Sequence, residues 1–144
     1  MKRLFLCLLV AMPGVLLAYP QAAQGDPVAT LEPDHYLHIH FNEFALKRVD
    51  KLNRNYTGTK DDPHLEQTAN GVVGRYSKAM KDSLQVQVRH TQSELSPFIG
   101  VMKYTEVRYE GNGQCPESIT SESFEMVRAR SVTEIFRLVQ DEWQ

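Results

Sequence analysis

The sequence predicts an α+β domain in which one N-terminal amphipathic helix packs on a curved antiparallel meander of four to five strands. Three observations predict it. From Asp34 to Asn55 the apolar residues recur at spacings of three and four, the period of a helix with one buried face. After Asn70-Gly71 the pattern changes to runs rich in β-branched and aromatic residues, one of them strictly alternating. The connections between those runs are short, which makes neighbouring strands antiparallel, because a parallel pair needs a crossover of a dozen residues or more.

The elements follow in chain order. Leu37, Phe41, Phe44, Ala45, Val49 and Leu52 share one helical face, Asp34 is placed to cap the N-terminus, and Glu43 precedes Lys47 by four positions. His35 to Phe41 also alternates, so a short strand leading into a shorter helix stays open as an alternative. Residues 57–70 (TGTKDDPHLEQTAN) are polar and aperiodic and predict a loop, with room for a helical turn over His64–Thr68. Val72–Ala79 and Leu84–Arg89 predict two strands joined by a turn at Lys81-Asp82-Ser83. Phe98–Glu110 predicts a long strand that Gly111-Asn112-Gly113 ends, with Gly100 marking a bulge or bend. Phe124–Arg130 and Val132–Val139 predict two more, and Asp141-Glu142 turns the chain into a last short piece at Trp143.

One helix across such a meander is the simplest way to bury both apolar faces. In element order alone this layout resembles the cystatin-like and NTF2-like folds. Fold likeness of that kind carries no function with it.

Residues 1–25 predict a cleavable export signal. Lys2 and Arg3 precede an apolar run from Leu4 to Leu17, too short for a membrane span of about 20 residues. Ala23-Gln24-Gly25 offers cleavage before Asp26, and Leu16-Leu17-Ala18 a poorer match before Tyr19. Cys7 lies inside the apolar run and not at its end, which argues against lipid attachment. Residues 26–33 predict a flexible lead-in, and 34–144 a single domain. Cleavage removes two cations and no acid, so the formal charge moves from −2 to −4. That balance argues against nucleic acid as a partner. It also leaves Cys115 as the one cysteine, which excludes an internal disulfide, and no transmembrane span remains in the mature form. The short leader and the single mature cysteine point to a periplasmic or secreted location.

Candidate sites are sparse. His35, His38 and His40 lie close together beside Asp34, residue types that zinc or copper accepts, although a site needs three or four ligands with matched geometry. The bland alternative is a set of surface histidines. Cys115 is a free thiol, and a nucleophilic role would need a base and a lowered pKa. Phe98, Met102, Tyr104 and Tyr109, with Trp143, either fill the core or line a ligand pocket on the concave sheet face. Lys103, Glu106, Arg108 and Glu110, and then Arg128, Arg130, Glu134 and Arg137, alternate as cross-strand ion pairs on a solvated face would. Asn55-Tyr56-Thr57 is a glycosylation sequon, relevant only to a eukaryotic source.

No nucleophile–base pair and no Gly-rich phosphate loop is present, and no cofactor is implied. The expectation is therefore an exported, non-enzymatic binding or accessory domain whose partner is a protein or a small ligand. The alternative is a small enzyme or metal-handling protein with a pocket between helix and sheet. Intact-mass measurement of the exported chain should place its first residue at Asp26; a chain starting at Tyr19 would move the boundary to the poorer site.

Overall fold

The computed structural model describes residues 29–144, so the expected leader, Cys7 and the cleavage sites lie outside the described residues. The elements are α1 (Tyr36–Asn55), β1 (His64–Thr68), β2 (Gly71–His90), β3 (Phe98–Gly113), a 3₁₀ turn (Pro116–Ser118), β4 (Glu125–Val139) and β5 (Glu142–Trp143). The five strands form a half-barrel in simple sequence order, each antiparallel to the next. No helix among the described residues is long and apolar enough to cross a membrane.

Helix α1 buries the face that its period predicts. Leu37, Phe41, Ala45 and Val49 are buried, with Phe44 and Leu52 packed beside them. Each Phe, Leu or Val taken out of water here contributes about 1.5–3 kcal/mol. The cap is one residue later than expected: His35, not Asp34, accepts the Leu37 N–H through Nδ1 at 3.2 Å. The helix therefore runs through His38 and His40, and the strand alternative for this stretch does not form. At the far end the Tyr56 N–H still reaches the Leu52 carbonyl at 3.0 Å before the backbone turns extended. Upstream, Ala29 and Leu31 bond to the edge of β2, so this part of the expected lead-in is docked.

Strand β2 departs most from expectation. Lys81-Asp82-Ser83 does not reverse the chain; residues 81–84 bulge out opposite the single Tyr104 of β3. Ser83 Oγ holds the bulge, donating to the Met80 carbonyl at 2.7 Å and accepting the Thr105 N–H at 2.8 Å. Polar turn residues signal a local break, but both halves of β2 find their partners on one long β3, and the strand continues. The surplus on β2 is odd, so the side-chain phase reverses. Before the bulge Ala79 faces the helix; after it Leu84, Val86 and Val88 do.

Other boundaries move for similar reasons. Gly111-Asn112-Gly113 does not end β3, because these residues pair with Gly74, Val73 and Val72. The loop after β3 lies over this end on the face away from the helix. A Cβ on Gly111 would meet the Ser123 carbonyl oxygen at 3.1 Å and the Phe124 ring at 3.2 Å. Ser131 does not divide β4, which runs unbroken beside β3 apart from one shift near Tyr109. His64–Thr68 is a strand and not a helical turn. Every residue in it is exposed, so neither face shows an apolar period. The last turn passes through Gln140 and Asp141, both in the left-handed region, and folds β5 back onto Leu138 and Val139.

The core lies between α1 and the concave face. Phe41 stands 4.7 Å from Trp143 and 6.0 Å from Phe136, ring centre to ring centre. Beneath it is Gly100, where any Cβ would fall within the Phe41 ring. Gly100 is therefore a seat for an aromatic ring and not a bulge. On the convex face a smaller cluster stacks Tyr76 on Tyr109 at 4.7 Å, with Phe124 set edge-on at 5.0 Å from Tyr76. Gly100→Ala should lower unfolding free energy by about 1–3 kcal/mol through overpacking. Urea denaturation checks this, and the loss should shrink in a Phe41→Leu background.

Candidate functional site

The apolar face of α1 ends at Leu52, while the sheet continues beyond it. Past that point the concave face carries Arg75 and Ser77 from β2, Glu106, Arg108 and Glu110 from β3, and Arg128 and Arg130 from β4. Tyr56, just beyond the helix, and His64 of β1 complete the walls of an open cavity of about 510 Å³.

Register sets the electrostatics. Glu110 stands opposite Arg75 and accepts from its Nε at 2.9 Å, while the same guanidinium also pairs with Glu66. Glu106 stands opposite Arg130 and takes a forked pair of bonds at 2.9 and 3.1 Å. The Tyr56 hydroxyl donates to the same carboxylate at 2.7 Å. One layer nearer the core, Glu134 accepts from the Tyr104 hydroxyl at 2.9 Å and from Arg48 of the helix at 3.0 Å. Of the alternating charges on β3 and β4, one pair, Glu106–Arg130, forms between the two strands, while Glu110 and Glu134 take Arg75 and Arg48 from other elements.

Two cations are left over. Arg108 and Arg128 are directly opposite each other, and among the described residues neither forms an ion pair. Like charges in register are destabilising on a sheet. They occupy the end of the concave face where no helix covers them.

Two tyrosines and one carboxyl of this face are displaced from their ordinary ranges. Burial, reinforced by the bond to Glu106, pushes the Tyr56 phenol up to about 12. Burial and the bond to Glu134 likewise raise Tyr104. Glu106 feels burial in the opposite sense, but bonds from Arg130 and Tyr56 outweigh it and hold the carboxyl below its usual range. Tyr56 is thus a donor, and Glu106 is an acceptor of three bonds.

The residues expected to carry a site fall elsewhere. Met102 and Tyr104 are core, and Phe98 packs at its margin against His90. Tyr109 stacks on the convex face, so the four do not converge on one pocket. His35 caps the helix, and His38 and His40, two positions apart on it, are turned about 200° from each other. Among the described residues no group of three metal-ligating side chains is assembled. The Cys115 thiol is exposed in the loop before the 3₁₀ turn. Tyr56, His64 and Arg75 had no signal as site residues. They reach the cavity only because β1 and the end of α1 fold over β2.

No protein-family model, curated protein or solved structure matches the chain.

Tyr56→Phe should lower stability at pH 7 by about 1 kcal/mol, the scale of a partly exposed hydrogen bond to a charged group. The folded phenol lies above its ordinary pKa of 10, so this contribution is complete below pH 10 and is lost as pH rises towards 12. Glu106 runs the other way. Its contribution is complete above the ordinary carboxylate pKa of about 4.3 and is lost as pH falls through its lowered folded value. Urea midpoints of the wild type and Tyr56→Phe across pH 7–11, with tyrosinate absorbance of the native protein, check both the size and the sign.

Proposed function

We propose that the chain is an exported, non-enzymatic binding domain that holds a small anionic ligand in the cavity beyond the C-terminus of α1. One observation carries this reading: Arg108 faces Arg128 across the strands, and among the described residues neither forms an ion pair, Glu106 feeling Arg108 only at longer range. A carboxylate or phosphate group on Arg108 would replace a repulsion with charge-assisted bonds, and the guanidinium fork suits both groups. Thr57, Ser77 and His64 in the same cavity supply polar groups around the anion. The chain as a whole is acidic. A local cation surplus on an acidic surface favours a compact anion over an extended polyanion such as nucleic acid. The bonded Tyr56–Glu106–Arg130 set favours binding over turnover, since its groups are engaged with one another. The N-terminal leader supports export.

Titration calorimetry with inorganic phosphate and with small di- and tricarboxylates tests the reading. At least one should bind the wild type, and Arg108→Ala should weaken it by tenfold or more while leaving the apo protein equally or more stable. Absence of binding by all of them at millimolar concentration, or an affinity unchanged in Arg108→Ala, would overturn it.

A further inference from the structure

The outer edge of β4 is open. Among the described residues no strand lies beside it after Glu125 until β5 and Gln144 cover Arg137 to Val139. The Arg137 N–H and C=O both bond to Gln144, at 2.8 and 2.9 Å, which fixes the direction of the backbone groups. By alternation Ala129, Ser131, Thr133 and Ile135 also turn theirs outwards, where no described residue meets them. Natural sheet edges are usually blunted by charged side chains, above all lysine, by proline, by bulges or by a covering segment. Strand β4 contains neither lysine nor proline, and its one shift lies at the Val127 end, leaving the stretch from Ala129 to Ile135 regular. It exposes Val127 at 51% and Ile135 at 65%, and residues 125–131 are exposed on both faces.

We propose that this edge pairs with a second copy of the chain, β4 against β4, antiparallel about a twofold axis at Ser131. Charge and shape single out this occupant and this register. With Ser131 on the axis, Ala129 lies opposite Thr133 of the partner subunit, and Val127, at the shift in β4's own pairing, comes beside Ile135 of the partner subunit. Arg128, the cation left without a carboxylate, lies opposite Glu134 of the partner subunit. Each contact occurs twice by symmetry. Glu134 already serves Tyr104 and Arg48, but a carboxylate has about four acceptor positions. The neighbouring registers fail. An axis at Arg130 sets that arginine against its own copy, and an axis at Val132 drives residue 127 onto Arg137, whose backbone Gln144 already holds. Strand addition of this kind uses main-chain bonds for affinity and side-chain pairs for specificity. It does not require an occupied anion cavity, because Arg108 keeps its place on the concave face.

Sedimentation equilibrium of the mature chain carrying Cys115→Ser is the first measurement; it should show a reversible monomer–dimer mass. In that background Ser131→Cys should form a disulfide-linked dimer on mild oxidation, since a directly bonded antiparallel pair places its Cα atoms about 5.5 Å apart. Thr133→Cys should not. Ser131→Pro removes an outward N–H that the monomer does not use, so it should weaken the dimer tenfold or more with little change in monomer circular dichroism. Should Ser131→Pro misfold, Ile135→Asp tests the same edge from an exposed position. A chain that stays monomeric at several hundred micromolar overturns the proposal. So does cross-linking at 133 in place of 131, or a dimer indifferent to both Ser131→Pro and Ile135→Asp.

Discussion

The contact between Phe41 and the bare backbone of Gly100 sets how closely α1 can approach the sheet, and most of the fold depends on that distance. Phe41 is fully buried and touches the rings of Phe44, Phe136 and Trp143. A side chain at position 100 would lift the helix away from β3. The gap would reach every residue below it, because interiors are close-packed and tolerate little added volume. Trp143 depends on the same seat. It comes from a two-residue strand, too short to hold itself, and it stays because its ring lies against Phe41. The left-handed Gln140-Asp141 turn and the backbone bonds of Gln144 then follow from where Trp143 must be.

Lengths explain why a site exists at all. A helix of 20 residues rises about 30 Å, whereas a strand of 20 residues spans about 65 Å. One helix therefore cannot roof this sheet. The bulge in β2 lies beneath the helix, where Lys81 pairs with Asp50, and the roof runs out just past it, where Asn53 holds the backbone of Ala79. On the far side Val86 and Val88 meet the helix, and on the near side the phase that carries Ala79 also carries Ser77 and Arg75 onto the concave face. Without the odd surplus in the bulge one half would present its wrong face. The apolar floor and the polar cavity are two ends of one surface, separated by the reach of α1.

Legibility in the sequence followed burial. Helix α1 was legible because one face is buried and the other wet, which gives a clean period. The halves of β2 were each legible by alternation, but their union was not, since the bulge that joins them uses residues common in turns. β1 was invisible because all five of its residues are exposed. Gly100 was noticed for the wrong reason: a glycine within a strand signals close approach as readily as a bend, and only the ring above it decides. Of the charges on β3 and β4, spacing made the Glu106–Arg130 rung legible, but not the partners that Glu110 and Glu134 find on β2 and α1. The cavity was not legible, because it depends on Tyr56, His64 and Arg75 meeting from three elements. The aromatic set failed as a pocket because alternation sends Tyr109 to one face and Met102 and Tyr104 to the other.

Two unpaired guanidinium groups in register are a modest cost and not a fatal one. Unit charges at about 4 Å interact by only about 1 kcal/mol in water, against about 5–15 kcal/mol of total stability in a typical domain. A fold can carry that repulsion indefinitely in its free state. It also means that relief of the repulsion is available to whatever supplies a negative charge. Arg108 and Arg128 share a rung but not a destination, for one lies on an inner strand over the cavity and the other on the open edge. A diffusible anion can reach the first, and a carboxylate fixed on a neighbouring strand can reach the second. The unpaired rung thus couples the concave face to the edge, and a charge gained at one arginine lowers the repulsion felt at the other.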